Sequence, residues 1–220
     1  MSDKPEILLI DKPAGITSFD VIRRLRRELN IKKMGHAGTL DPLATGLMII
    51  GIDSGTKKLN DYIKLDKEYV AEIRVGESRS TGDLEGEILE KKKVAENFTD
   101  QELIKISTGM IGTLRLPVSA YSAIKKEGVP MYKRARAAER KGEMVTDVPI
   151  RDMEVKEVEF LSQTIEADVL VVTIRFYVGS GTYIRSLAEE FGKRLGYPAT
   201  LQSLRRTKVG DFKISDARSI

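Results

Sequence analysis

The 220-residue sequence contains no cysteine and only one histidine. The first absence excludes disulfides, thiolate nucleophiles, iron–sulfur clusters and cysteine-ligated zinc. The second excludes a metal site built from several imidazoles. Long apolar runs are also missing, since no stretch approaches the roughly 18 residues a membrane helix needs. Met1-Ser2-Asp3-Lys4-Pro5 shows no basic-then-apolar signal pattern. These absences point to a cytoplasmic protein that does not engage a membrane. Internal repeats, low-complexity segments and linkers are absent as well, so one domain is expected. Hydrophobic residues at 41% and charged residues at 32% describe a chain able to bury a proper core.

Lys+Arg 37 against Asp+Glu 33 leaves a net charge of +4. That excess is small, so placement matters more than size. Positive residues gather at Arg23, Arg24, Arg26 and Arg27 with Lys32 and Lys33. They gather again at Lys91 to Lys93, over Lys133, Arg134, Arg136, Arg140 and Lys141, and at Arg205, Arg206 and Lys208. Each group reads either as a solvated face or as a phosphate-neutralising patch.

The elements follow from periodicity. Ile7 to Ile10 reads as a strand that stops at the turn cluster Asp11-Lys12-Pro13-Ala14-Gly15. Thr17 with Asp20 forms a capping-box pattern, and Phe19, Ile22, Leu25 and Leu29 follow at helical spacing. Leu47 to Ile52 reads as a buried strand. Lys67 to Gly76 alternates, with Tyr69, Ala71, Ile73 and Val75 on one face. Thr99 and Glu102 open a second helix, and Met131 to Lys141 is a basic, Ala-rich helical stretch. Val155 to Leu161 and Val169 to Val178 read as strands, and Tyr183 to Leu195 as a helix. Strands without strict βαβ alternation imply an α+β fold with a largely antiparallel sheet.

Two glycine-bearing segments are the places for chemistry. Gly35-His36-Ala37-Gly38-Thr39-Leu40-Asp41-Pro42-Leu43-Ala44-Thr45-Gly46 reads as a loop throughout. Pro42 stiffens the residue before it, so Asp41 is displayed on a rigid turn as a candidate nucleophile, base or ligand. The plainer reading, an Asp that starts a turn before Pro, is favoured by the residues alone. His36 has small neighbours, Gly35 and Ala37, which leave its ring projecting where it can stack on an unpaired base. The second segment, Gly179-Ser180-Gly181-Thr182-Tyr183-Ile184-Arg185, joins a strand to a helix. Arg185 there pairs with an active carboxylate or is simply an exposed Arg. Tyr183 stacks or hydrogen bonds. Tyr69 is by default a half-buried aromatic. None of this names a reaction.

The motifs do name a family. Leu9-Ile10-Asp11-Lys12-Pro13-Ala14-Gly15 and the Gly35–Gly46 segment resemble the bacterial TruB family of tRNA pseudouridine synthases. The same order continues through Lys67-Glu68-Tyr69, Pro117-Val118-Ser119-Ala120-Tyr121-Ser122-Ala123-Ile124-Lys125, Gly179 to Arg185, and Leu204-Arg205-Arg206. The resemblance runs from about Ile7 to the C-terminus. It implies the pseudouridine-synthase fold, a mixed, mainly antiparallel central sheet flanked by helices. It also implies isomerisation of the T-loop uridine of tRNA (uridine-55) to pseudouridine, with base flipping and with neither cofactor nor metal. The implied partner is the T-arm stem-loop of tRNA, bound by a monomer that needs no protein partner.

Residue by residue, Asp41 matches the catalytic aspartate and Arg185 the arginine that pairs with it. Tyr69 matches the tyrosine that packs on the target uracil and takes the C5 proton. His36 matches the histidine that enters near the flipped nucleotide, while Tyr183 and Leu204 match residues lining the uracil pocket. Residues 125–143 fall where the family has a mobile insertion that clamps the T-arm. Many family members carry a C-terminal RNA-binding module of the PUA type, and none is expected within residues 1–220. Two other readings stay open: an RNA-binding folding helper that holds the tRNA elbow without depending on catalysis, and a different uridine target such as ribosomal RNA.

Overall fold

The computed structural model describes residues 5–95, 97–122, 124–143 and 145–220. The signal-pattern reading at Met1–Lys4 and the motif residue Ala123 lie outside them, as do Glu96 and Met144. In chain order the elements are β1 (Ile7–Lys12), α1 (Ser18–Leu29), β2 (Met34–His36), β3 (Thr45–Ile52), α2 (Leu59–Ile63), β4 (Lys67–Val75), β5 (Glu77–Arg79), β6 (Ile88–Lys91), α3 (Asp100–Thr108) and β7 (Gly112–Pro117). They continue with β8 (Lys125–Lys126), β9 (Val129–Pro130), α4 (Met131–Glu139), β10 (Ile150–Glu166), β11 (Val169–Val178), α5 (Ile184–Leu195), β12 (Ala199–Val209), β13 (Phe212–Lys213) and β14 (Arg218–Ser219). The fold is α+β, with a mixed, mostly antiparallel sheet. The parallel pairs β1/β14 and β3/β12 stand among antiparallel ones such as β1/β3, β2/β3 and β7/β10.

The chain forms two compact units that interleave in sequence. The first comprises Met1–Ala71, Arg175–Gly181 and Ser203–Ile220. Here β3 runs antiparallel to β1, with Leu9 opposite Ile49, and parallel to β12, with Arg206 opposite Gly46. From Gly46 on, β3 is buried on both faces, which explains its unbroken apolar run. Ala37, Leu47, Ile49, Leu59 and Val209 form a core cluster. Tyr62 and Phe212 meet edge to face beside it, at 5.5 Å between ring centroids. At the start of α1, Thr17 Oγ1 accepts from the Asp20 N–H and the Asp20 carboxylate accepts from the Thr17 N–H, the expected capping box.

One expectation fails in this helix. Its buried stripe is Ser18, Val21, Ile22 and Leu25, whereas Phe19 is 56% exposed. Phe19 sits about 100° of helical rotation away from Ser18, and the Arg23 and Arg26 guanidiniums lie 5.7 and 5.9 Å from its ring centre. A small serine takes the inward place that spacing assigned to the aromatic.

The second unit comprises Glu72–Ile174 and Thr182–Gln202. It holds the β5/β6 and β8/β9 hairpins and the β7/β10 pair, with Leu114 opposite Met153. α3 opens with the expected Thr99/Glu102 capping box and packs on β10. α5 buries Leu187, Ala188 and Phe191. β10 is 17 residues long, well beyond the expected Val155 to Leu161, because pairing with β7 begins at Ile150. Alternation in β4 is as expected, with Lys67, Tyr69, Ala71, Ile73 and Val75 all buried. Among the described residues no helix is long and apolar enough to cross a membrane.

Candidate active site

Between β2 and β3 the first unit carries a short loop, Ala37 to Ala44. Its start departs from the all-loop reading. Gly35 and His36 lie on β2, opposite Gly51 and Ile50 of β3, because β3 supplies backbone partners that propensity alone does not announce. Gly38 then takes φ +91, a left-handed turn suited to glycine. The loop closes on itself where the Ala44 N–H donates to the Asp41 carbonyl at 3.0 Å, with Pro42 inside the turn. Asp41 therefore starts a turn, as the plainer reading holds, and its half-buried carboxylate is carried on that turn.

Side chains from three distant stretches hold this backbone. Arg206 is 1% exposed and donates from Nη2 to the Gly38 carbonyl (3.2 Å) and from Nε to the Leu47 carbonyl (2.7 Å). Ser18 is 2% exposed; its Oγ accepts from the Leu40 N–H at 2.9 Å and donates to the Leu40 carbonyl at 3.0 Å. Lys12 is wholly buried, and its Nζ donates to the carbonyls of Pro13 (2.9 Å), Pro42 (3.3 Å) and Ala44 (2.6 Å). The Gly15 N–H adds a bond to the Pro42 carbonyl at 2.9 Å. Buried cations are tolerated only when their donors are bonded, and hydrogen bonds from charged groups contribute about 1.5–3 kcal/mol each. The residues on both sides of Asp41 are fixed from inside the protein. Arg206 thus corrects the reading of Arg205, Arg206 and Lys208 as an outward patch. Arg205 in turn grips the Asp11 carboxylate through both terminal nitrogens, at 3.1 and 2.7 Å, and Lys208 pairs with Glu68 at 2.7 Å.

The other first-unit candidates fall around this framework. Leu204 lies on β12 and is 8% exposed; its carbonyl accepts from Thr45 Oγ1 at the loop's exit, at 3.4 Å. Tyr69, also 8% exposed, lies on β4 next to Glu68, whose carboxylate accepts from Thr207 Oγ1 of β12 at 2.7 Å. His36 is half-buried rather than fully projecting, and its Nδ1 has no hydrogen-bond partner among the described residues. Burial pushes the His36 pKa down, the Gly38 backbone opposes, and the Arg206 charge adds to the lowering, so the imidazole is neutral at pH 7. Lys67 is pushed down to about 8 by burial, with the Arg206 charge adding and Asp66 opposing.

Arg185 and Tyr183 stand in the second unit. Tyr183 stands at the N-cap of α5, whose cap is made by the backbone rather than by its side chain, and Arg185 follows in the first turn. A cation there opposes the helix dipole, at a cost of about 0.3–1 kcal/mol, yet Arg185 is 6% exposed rather than the surface Arg of the plainer reading. Its Nη1 donates to the Thr81 carbonyl at 2.8 Å and to Ser119 Oγ at 3.0 Å, and its Nη2 to the Tyr121 carbonyl at 3.3 Å. The buried Asp83 carboxylate lies 3.8 Å from Nη1 and is itself held by Thr81 Oγ1 at 2.6 Å and the Glu85 N–H at 3.1 Å.

Sequence reasoning missed the supporting roles of Lys12, Ser18, Asp83, Ser119 and Arg206. Only the turn signal Thr81-Gly82-Asp83 before Gly86 offered a hint of the acidic one. Among the described residues no three His, Asp or Glu side chains gather as a metal-binding group.

Comparison with known proteins narrows the field. The family described as TruB family pseudouridylate synthase (N terminal domain) matches residues 26–184. The chain is 42% identical over 216 residues to the tRNA pseudouridine synthase B of Leifsonia xyli subsp. xyli, covering 97% of this chain and 70% of the relative. It is 41% identical to that of Corynebacterium efficiens over 211 residues, covering 96% and 69%. Among solved structures it is similar to a chain of a Cbf5–Nop10–Gar1 complex, with TM-score 0.70, 25% identity, and 97% of this chain and 52% of that one covered. A chain of an H/ACA RNP bound to a substrate RNA containing 2′-deoxyuridine gives TM-score 0.67, 25% identity, and 97% and 50% coverage. The chain thus spans about half the length of those two structural relatives.

Proposed function

We propose that this chain, which belongs to the TruB family of pseudouridylate synthases, isomerises the T-loop uridine of tRNA with Asp41 as the nucleophile. The overall change is balanced within one nucleotide. The N1–C1′ bond breaks, the uracil turns, a C5–C1′ bond forms, C5 loses a proton and N1 gains one. No electron is gained or lost, so the stoichiometry calls for no redox partner. What the protein must provide is access to the base, a nucleophile, a base for the C5 proton and a dry place for the detached uracil.

The observation that carries this reading is the fixed carriage of Asp41. Its loop is tied at Gly38, Leu40, Pro42 and Ala44 by buried side chains. A nucleophile held by prior folding meets its substrate without reordering cost, and such positioning supplies several kcal/mol of barrier reduction. A uridine in a folded loop must be extruded before attack, at an expense of a few kcal/mol in unstacking. Stacking of the neutral His36 imidazole on exposed RNA bases offsets that expense. Tyr69 is the group for the C5 proton and also packs on the uracil. Tyr183 and Leu204 line the space for the ring. Arg185 is the guanidinium assigned to the Asp41 carboxylate. Residues 125–143, with the basic α4, hold the T-arm.

The test uses the purified chain, one unmodified tRNA transcript and no added cofactor, with modified positions mapped by mass spectrometry. The wild-type chain converts the T-loop uridine. Asp41→Asn retains tRNA binding and forms no product; product from that variant overturns the assignment. Tyr69→Phe slows product formation by about 10² to 10⁴ if its hydroxyl takes the proton, and an unchanged rate assigns that step elsewhere.

A further inference from the structure

We infer that Ser18 is a positioning residue for the reaction, the group that sets the backbone immediately before Asp41. Its hydroxyl makes the two bonds that matter at once, accepting from the Leu40 N–H at 2.9 Å and donating to the Leu40 carbonyl at 3.0 Å. The two partners belong to the peptide groups flanking the Leu40 Cα, and the second of those peptides is the one that joins Leu40 to Asp41. One hydroxyl therefore restrains both peptide planes leading into the nucleophile. A hydroxyl is the smallest side-chain group able to donate and accept together.

Ser18 is itself well anchored. It occupies the first position of α1, directly after the Thr17 cap. The Thr17/Asp20 capping box fixes that first turn through bonds of 2.8 and 3.1 Å. Ser18 is 2% exposed, so water does not compete for its hydroxyl. Leu40, the residue it holds, is 3% exposed and cannot swing outward while both bonds persist. The other side-chain ties described for the loop come from cations and reach carbonyls, Arg206 at Gly38 and Lys12 at Pro42 and Ala44. A carbonyl tie leaves rotation about the neighbouring peptide, whereas a paired donor and acceptor removes it. The hydroxyl of Ser18 holds the residue before Asp41, and the Lys12 ammonium holds the carbonyl of the residue after it. An apolar residue in place of Ser18 leaves the Leu40 N–H and carbonyl both buried and unpaired.

This inference rests on the reading of Asp41 as nucleophile, and the experiment separates the two. Single-turnover rates on saturating tRNA transcript, tRNA dissociation constants and melting temperatures are measured for the wild type, Asp41→Asn, Ser18→Ala and Ser18→Cys. The cysteine variant keeps the volume of the site while weakening both bonds, so it also preserves the fold if the alanine variant does not. Both Ser18 variants are expected to lose about 10- to 100-fold in single-turnover rate, in keeping with the penalty for a misplaced reacting group. Their tRNA dissociation constants stay within about twofold of wild type, because Ser18 touches protein and not RNA. Amide exchange at Leu40 quickens in both. A wild-type rate in Ser18→Cys, or a dissociation constant that rises in step with the lost rate, overturns the positioning role even while Asp41→Asn remains inactive. Product from Asp41→Asn fails the underlying reading instead.

Discussion

The two glycine-bearing segments solve opposite problems. In the Asp41 loop, side chains hold a backbone: Lys12, Ser18 and Arg206 reach in from β1, α1 and β12 to fix carbonyls and one N–H. At the start of α5 a backbone holds a side chain: the carbonyls of Thr81 and Tyr121, with Ser119 Oγ, fix the Arg185 guanidinium. The difference follows from side-chain length. An aspartate is short, so its position is its backbone's position, and the loop must be rigid. An arginine is long, so its helix can be ordinary while its five donors must be met one by one.

The largest break in this contrast is expected at Gly46. Its φ is +107, and a Cβ there would lie 2.3 Å from the Arg206 carbonyl oxygen, where β3 meets β12. Gly46→Ala is expected to cost at least about 3 kcal/mol of stability. Urea denaturation reads this, and a midpoint like that of wild type contradicts the close approach. In the second segment Arg185→Lys keeps the charge but cannot meet three separate acceptors as a planar fork does. Product formation is expected to fall about 10²-fold, with tRNA binding changed only a few-fold and stability lowered by about 1–3 kcal/mol because buried acceptors lose their donor. An equal loss from both segments in both assays removes the distinction between them.

Smaller effects refine it. Thr17→Ala and Thr99→Ala each remove a capping box and are expected to cost about 1 kcal/mol, a drop of roughly 2–4 °C in melting temperature for a chain of this size. Thr17→Ala also slows product formation, because its helix turn carries Ser18, while Thr99→Ala does not. The mildest prediction concerns pH. The folded-state pKa of Lys67 is pushed down to about 8 from the ordinary 10.5. Between those values the unfolded chain binds more protons than the folded one, so this group makes stability rise with pH across that window. Denaturation midpoints of wild type and Lys67→Met are expected to diverge in favour of wild type from pH 8 to 10. Parallel curves over that range would exclude the shift.

Much of the architecture was legible residue by residue. Thr17 with Asp20 and Thr99 with Glu102 announce helix starts because capping is local chemistry. The alternation from Lys67 to Val75 announces a strand because one face is buried. β12 was not legible. Gln202, Ser203, Arg205, Arg206, Thr207 and Lys208 look like a polar surface stretch, and become a strand through pairing with neighbours such as β3 and β13. Phe19 yields its expected inward place to Ser18 for a similar reason: the Ser18 hydroxyl pairs with the backbone of Leu40, 22 positions on.

The order of residues by itself determined the family, the two capped helix starts, the alternating strand β4, and which aspartate stands in a rigid Asp-Pro turn. Those are matters of neighbours along the chain, and neighbours are written in the sequence. Tertiary structure alone decided that Lys12, Ser18 and Arg206 point inward to carry that turn, and that Arg185 is buried at a helix start. Each of these depends on partners 20 to 170 positions away, such as Ser18 with Leu40 at a separation of 22 and Arg206 with Gly38 at 168. A buried polar group is tolerated only where such partners converge, and that convergence exists only in the folded chain.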